Sequence, residues 1–400
     1  MLTEEHLHRY ADVLIWGLKT ARAKPFKKQD VILIRYEKPG IRLVEILYEK
    51  LLLQGYHPIP RLALSVEMEK CFYHHADSAQ LTFIPPGDKE LYERLNGNIY
   101  VNAPESITHL QAVDPKRIGK SAVARKILRD IMTGREEKGE LGWTLCVYPT
   151  VELARHAQMS LEEYTAQIIR ACYLDHPDPT EQWKGVYKKA MTIKKWLNSL
   201  DVQTFHIESE RTDLMITPGK KRKWIGVTGH NIPSFELFIS PDWRGTRGVY
   251  FSDQPSYRSG NYVKNIRLEF DKGKVIHVSA ETGKEFIIKQ LAMDTGANRV
   301  GEFSLTDKRF SKIDRFMAST LFDENFGGQN GNCHIAVGSS YSDTYDGNPA
   351  ELTPKTKQQL GFNDSALHWD LVNTEPKQIT AHLIDGRRVL IYQDGEFCYS

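Results

Sequence analysis

The feature that most constrains this chain is a change of pattern near residue 200, where alternating helix-like and strand-like segments give way to closely spaced strand-like runs. Val31–Tyr36 (VILIRY) is a short, continuous apolar run. It reads as a strand covered on both faces, because a strand with one face in water would alternate apolar and polar residues. Helical patterns flank it. Ala11, Leu14, Ile15, Leu18 and Ala21 form one stripe within Tyr10–Arg22, and Arg42–Leu53 forms another helix, stopped by Gln54-Gly55. Further strands are predicted at His57–Val66, Asn98–Val101 and Trp143–Tyr148, and further helices at Lys120–Met132 and Ser160–Tyr173. The second of these opens on a capping box, Ser160 with Glu163. The alternation predicts an α/β fold whose N-terminal half is a mainly parallel sheet with flanking helices.

Pro177–Pro179 interrupts this pattern, and Trp183–Leu200 reads as one long helix. From Thr204 onward the runs TFHIESE, DLMITPG, KWIGVTG, NIRLEF, KVIHVSAETG, CHIAVG, HWDLVN and QITAHLIDGRRVLIYQDGEF follow one another. Asp271-Lys272-Gly273, Asp385-Gly386 and Asp394-Gly395 sit between them as hairpin turns. The expected organisation is residues 1–200 as an α/β scaffold domain and residues 201–400 as a mixed, β-rich α+β domain.

Basic and acidic side chains balance at 53 against 51, which predicts no nucleic-acid partner. No run approaches the length and apolarity of a membrane span, and MLTEEHLHRY carries no apolar signal core. Cys71, Cys146, Cys172, Cys333 and Cys398 are odd in number, far apart and form no CxxC pair, so neither a disulfide framework nor a cysteine-rich zinc site is expected. These readings together predict a cytoplasmic protein. No GxGxxG follows the first strand and no GxxxxGK[ST] occurs, so a nucleotide cofactor is not expected.

The residues with chemical potential lie in the second half. His368 and Asp370 flank Trp369, and on a strand residues i and i+2 share a face, so an imidazole and a carboxylate would converge. Both are good ligands for divalent metals. His334 begins an apolar run, where a hydrogen-bonded core histidine is the plainer reading. The glycine-rich loop before it permits a tight return that would bring Glu324 near. Glu302 and Glu236 each sit against apolar strand residues, where a carboxylate needs a partner or a cation. Taken singly, each has an ordinary structural explanation. Taken together, six groups in one half of the chain supply the carboxylates needed to neutralise two divalent cations.

Beyond these residues, NIPSFELFISPD (231–242), DTGANRVGEFSL (294–305), TLFDEN followed by CHIAVGSSY (320–341), and SALHWDLV (365–372) resemble the thermophilic metallo-aminopeptidases of the aminopeptidase T and aminopeptidase S type. RTDLMITPGKKRKW (211–224) is similar to the segment that precedes the family's first ligand. The resemblance implies that Glu236, Glu302, His334, His368 and Asp370 hold two divalent cations, whether zinc, cobalt, manganese or magnesium, with Glu324 a ligand or directly beside them. It also implies an active-site tyrosine at Tyr341, catalytic roles for Glu302 and Glu324, peptide substrates with a free N-terminus, and a homodimer. Residues 201–400 would then be the metal-binding catalytic domain. Phe326–Gly331 makes the stretch between Glu324 and His334 longer than the family's usual form. Two other readings suit the same residues: a dinuclear amidohydrolase acting on another amide, and a metal- or peptide-binding module without turnover.

Overall fold

Helix α1 (Glu4–Thr20) starts where Thr3 accepts a hydrogen bond from the His6 amide, and it buries Leu7, Tyr10, Ala11, Val13, Leu14, Ile15, Gly17 and Leu18. The computed structural model to which it belongs describes residues 1–399. These divide into two compact units. One comprises Met1–Tyr187, Val227–Ser234 and Met317–Leu321; the other comprises Lys188–Gly226, Phe235–Phe316 and the chain from Phe322 onward.

In the first unit, β1 (Val31–Tyr36), β2 (His57–Leu62), β3 (Gly97–Asn102) and β4 (Gly142–Val147) form a parallel sheet, with β1 between β2 and β3. Its helices include α2 (Ile41–Leu53) and those at Pro115–Glu137 and Leu161–Ala171, the last closed by the expected Ser160–Glu163 capping box. The strand read from His57 to Val66 is shorter, because Ser65 accepts from the Met68 amide and starts a helix at Val66–His75. The helix read at Lys120–Met132 is longer, because Asp114 caps it and Pro115 occupies its first turn.

The second unit opens with β5 (Val202–Ser209) and β6 (Asp213–Ile216). The run KWIGVTG, read as strand-like, forms isolated bridges at Arg222–Tyr345 and Ile225–Phe238 rather than a ladder. Positive φ at Gly226 (144°), Val227 (52°) and Gly229 (89°) breaks the extended backbone there. The chain then supplies β7 (Asn231–Ile232), a parallel fifth strand of the first unit's sheet beside β4. Four residues later β8 (Glu236–Ile239) begins in a different sheet. Beyond it come β9 (Arg247–Ser252), β10 (Ser256–Arg258), β11 (Asn261–Asp271) and β12 (Lys274–Thr282). Next are β13 (Val300–Thr306), β14 (Asn332–Gly338), β15 (His368–Asn373), β16 (Lys377–Leu383), β17 (Arg388–Gln393) and β18 (Glu396–Phe397).

Most of these build a nine-stranded antiparallel sheet, joined by the expected hairpins at Lys272-Gly273 and Asp394-Gly395. The exception matters most. β15, β14, β13 and β8, in that order, form a separate four-stranded antiparallel sheet, and every residue of β8, β13 and β14 is buried. The fold is therefore α/β, with one parallel sheet and two antiparallel ones.

Gly17 of α1 and Gly229 lie back to back, and a Cβ on Gly17 would stand 2.7 Å from the Gly229 carbonyl oxygen. Gly229 is left-handed, at φ 89°, so a side chain there would be strained as well as crowded. Gly229→Ala is expected to destabilise the protein by about 2–4 kcal/mol. Urea unfolding would measure this, and an unchanged midpoint would show that the two backbones can separate freely.

Candidate active site

The buried four-stranded sheet has two chemically different faces. Its register aligns Thr306 with Glu236, Ser304 with Phe238 and His334, Glu302 with Ala336, Ala336 with Asp370, and Gly338 with His368. Because side chains alternate along a strand, all of these share one face. The other face carries Leu237, Phe303, Leu305, Cys333, Ile335, Val337 and Leu371, which are buried core. Glu236, Glu302, His334, His368 and Asp370 thus come from four different strands onto one surface. Small residues separate them: Ser304 beside His334, Ala336 between Glu302 and Asp370, and Gly338 beside His368. A large side chain at Ala336 would fill the space in which the carboxylates converge.

The distances are short. His334 Nε2 lies 3.2 Å from Glu302 Oε1, 3.3 Å from Glu236 Oε2 and 3.9 Å from Asp370 Oδ1. His368 Nε2 lies 3.3 Å from Asp370 Oδ1 and 3.8 Å from Glu302 Oε2, so the two oxygens of Glu302 face different histidines. Ser304 donates to Glu236 Oε2 at 3.0 Å. His368 Nδ1 is 2.9 Å from the Ser339 carbonyl, which makes Nδ1 the protonated nitrogen and leaves the Nε2 lone pair directed at the carboxylates. His334 has no such support, since its Nδ1 is buried without a hydrogen-bond partner.

Glu324 follows the short helix Thr320–Asp323, and its backbone is tied to the same sheet face. Its carbonyl accepts from Thr306 Oγ1 at 3.2 Å and from Asn332 Nδ2 at 3.1 Å. Asn332 also donates to the Phe326 carbonyl at 2.6 Å, so the long Phe326–Gly331 stretch is closed at its base. Asn325 Oδ1 takes the Phe235 amide at 2.6 Å, which fixes this segment beside Glu236. Tyr341 donates its backbone amide to Ser240 Oγ, and its ring stands edge-on to His368 with centroids 4.8 Å apart.

Burial and crowding shift the proton affinities of several groups here. Burial pushes Glu236 up to about 8; His334 opposes this, while Glu302 and Asp370 add to it. Glu324 is raised well above the ordinary carboxylate range by burial and by Glu236, Asp370 and Glu302. Burial alone would lower His334, but its contacts with Glu302, Glu236 and Asp370 hold it up at about 9. Asp370 goes the other way. Burial opposes ionisation there, yet His368, His334 and Arg258 bring it down to about 2. A tightly buried excess of carboxylates is thus relieved by protons held on histidines and glutamates. Divalent cations would relieve it by displacing those protons.

The donor set fits such ions. One ligand atom each from Glu236, Glu302 and His334 lies within 4.8 Å of the others, close to what a cation with bonds of about 2.0–2.2 Å would close. Mixed imidazole and carboxylate ligation suits zinc and neighbouring divalent ions. An oriented histidine, convergent carboxylates and a neighbouring tyrosine are the groups a metal-dependent hydrolase would need.

The sequence comparisons make the class specific. Residues 3–397 match the thermophilic metalloprotease (M29) family, and the chain belongs to it. It is 26% identical to aminopeptidase T of Thermus aquaticus over 72% of this chain and 73% of that one. It is also 26% identical to aminopeptidase 2 of Geobacillus stearothermophilus, over 82% and 83%. With the aminopeptidase AmpS of Bacillus subtilis the identity is again 26%, but the match spans only 63% of that protein's length. In fold the chain is similar to AmpT from Thermus thermophilus, with a TM-score of 0.79 over 98% of this chain and 99% of that one, at 21% identity.

Two supports of the site carry no mark in the sequence. Ser304 is one small polar residue among many, and the role of Ser339 lies in its backbone carbonyl. Ser304→Ala is expected to leave the fold intact and weaken cation binding about 10- to 100-fold. Calorimetric titration of zinc into the metal-free protein would show it, and wild-type affinity would remove Ser304 from the site's support.

Proposed function

We propose that the protein is an aminopeptidase that holds two divalent cations on this sheet face and removes N-terminal residues from peptides. The observation that carries the reading is the position of Glu302, whose two oxygens address His334 and His368 separately. On one side stand Glu236 and His334; on the other, His368 and Asp370. A carboxylate shared between two such groups would let each of them hold a cation. Family membership and the aminopeptidase names of the relatives point to the same chemistry. Zinc, cobalt, manganese and magnesium all suit the donors.

When bound, the cations would supply a water acidified to near-neutral pH and would polarise the scissile carbonyl. The chain's own residues do the rest. Glu302 would help hold both ions, and Glu324, buried nearby, would accept a proton from the attacking water and return it to the leaving amine. Tyr341 keeps its proton, since burial and the surrounding carboxylates raise it well above the ordinary tyrosine range. Its hydroxyl is therefore a donor for the oxyanion that develops on the carbonyl. Ser339 holds the His368 ring in the tautomer the site needs. All these groups belong to the second unit, which would be the catalytic domain, although Val227–Ser234 and Met317–Leu321 within residues 201–400 belong to the first. Among the described residues no helix is long and apolar enough to cross a membrane, and all five cysteines are free thiols, as suits a reducing cytoplasm. The family resemblance supports a homodimer.

Two experiments test the proposal. Amino-acid p-nitroanilides should be hydrolysed, N-acetylated ones should not, and chelation should abolish turnover until divalent cation is restored. Activity confined to the blocked substrates would reject an aminopeptidase. Separately, Glu302→Gln should lose cation uptake together with activity, whereas Glu324→Gln should retain cations and lose about 10²- to 10⁴-fold in kcat. Near-normal turnover by Glu324→Gln would reassign the proton transfer.

A further inference from the structure

The two ligand candidates of β15 are braced from behind by a strand of the larger sheet. Trp369, between them, points away from His368 and Asp370 and packs edge-on against Phe286, with centroids 5.9 Å apart. Its indole Nε1 donates to Ser256 Oγ at 3.1 Å. Two residues along β10, on the same side of that strand, stands Arg258. Its guanidinium lies over the Trp369 ring, 5.5 Å from the centroid, and Nη1 donates to the main-chain carbonyl of His368 at 2.8 Å. His368 is therefore held at two points, its ring by the Ser339 carbonyl and its backbone by Arg258. β15 is also the outermost strand of its sheet, with β14 on one side only, so its first residue is where the ladder gives least support.

We infer that Arg258 is a positioning residue for the cation centre, clamping His368 and, through the shared Trp369, setting where Asp370 meets it. The inference rests on the reading of His368 and Asp370 as ligands. Geometry rather than charge is the basis: a planar fork both stacks on an indole and donates along its edge to a carbonyl, which a lysine ammonium cannot do. Arg258 itself is only half-buried. β10 is a three-residue edge strand paired with β11 through a turn at Ser259-Gly260, so altering Arg258 leaves the sheet interiors untouched.

The test is titration of cobalt(II) into metal-free wild type, Arg258→Lys and Arg258→Met, followed by calorimetry and by visible absorption. Thermal melting of the metal-free proteins is recorded alongside. Both variants are expected to weaken one binding step by at least about tenfold and to alter the cobalt absorption band, with the other step and the melting temperature close to wild type. Should Arg258→Met melt early, Ser256→Ala, which loosens the same tryptophan from the same strand, is expected to weaken that same step to a smaller degree. Wild-type titrations in the Arg258 variants would overturn the inference, as would a lysine variant indistinguishable from wild type, because charge alone would then suffice. If wild-type protein itself takes up no cobalt, the metal reading of the whole site fails, and that result is distinct from either of these.

Discussion

Four carboxylates and two imidazoles crowd one dry face of a buried sheet, and the organisation of the second unit around them answers that crowding. Like charges at such distances cannot all ionise in a medium of low polarisability. Burial and mutual repulsion raise the proton affinities of Glu236 and Glu324, and the carboxylates around His334 raise its own. An apolar lining would be more stable and simpler to build. That the chain places carboxylates there, separated by serine, alanine and glycine, is what supports the proposal that this face holds ions.

The sheet solves a second problem, that of holding these side chains still. Glu236, Glu302, His334, His368 and Asp370 come from segments as far apart as residues 236 and 370, yet each sits on a strand whose opposite side is locked into core. Loops would bring the same groups together with less precision. Two groups depart from the pattern, and both are tethered to it: Glu324 through its backbone carbonyl on Thr306 and Asn332, and Tyr341 through its amide on Ser240.

Much of this arrangement was legible in the sequence where a local rule coincides with the global one. The His368/Asp370 pair follows from strand alternation alone, and the Ser160–Glu163 cap and the Val31–Tyr36 strand each declared themselves within a few residues. Lys223–Gly229 misled, because its apolar residues suggest a strand while left-handed backbone prevents one. β7 is two residues long and has meaning only through its pairing with β4. Arg258 lies in a polar stretch without periodicity, and its partner is a carbonyl 110 positions away, beyond any pattern of side chains. The capping role of Ser65 competes with an apolar run that reads as a continuing strand.

The path of the chain around β7 has consequences for synthesis. The parallel sheet needs Asn231–Ile232 to cover the edge of β4 at Leu145 and Cys146. A ribosome must therefore have released all of β5 and β6 before the N-terminal sheet can close. Until then, the nascent chain presents an unfinished β edge of the kind that recruits neighbouring strands. Severing the gene near codon 200 would make that transient vulnerability permanent, and the N-terminal piece would be released from translation with its last strand missing.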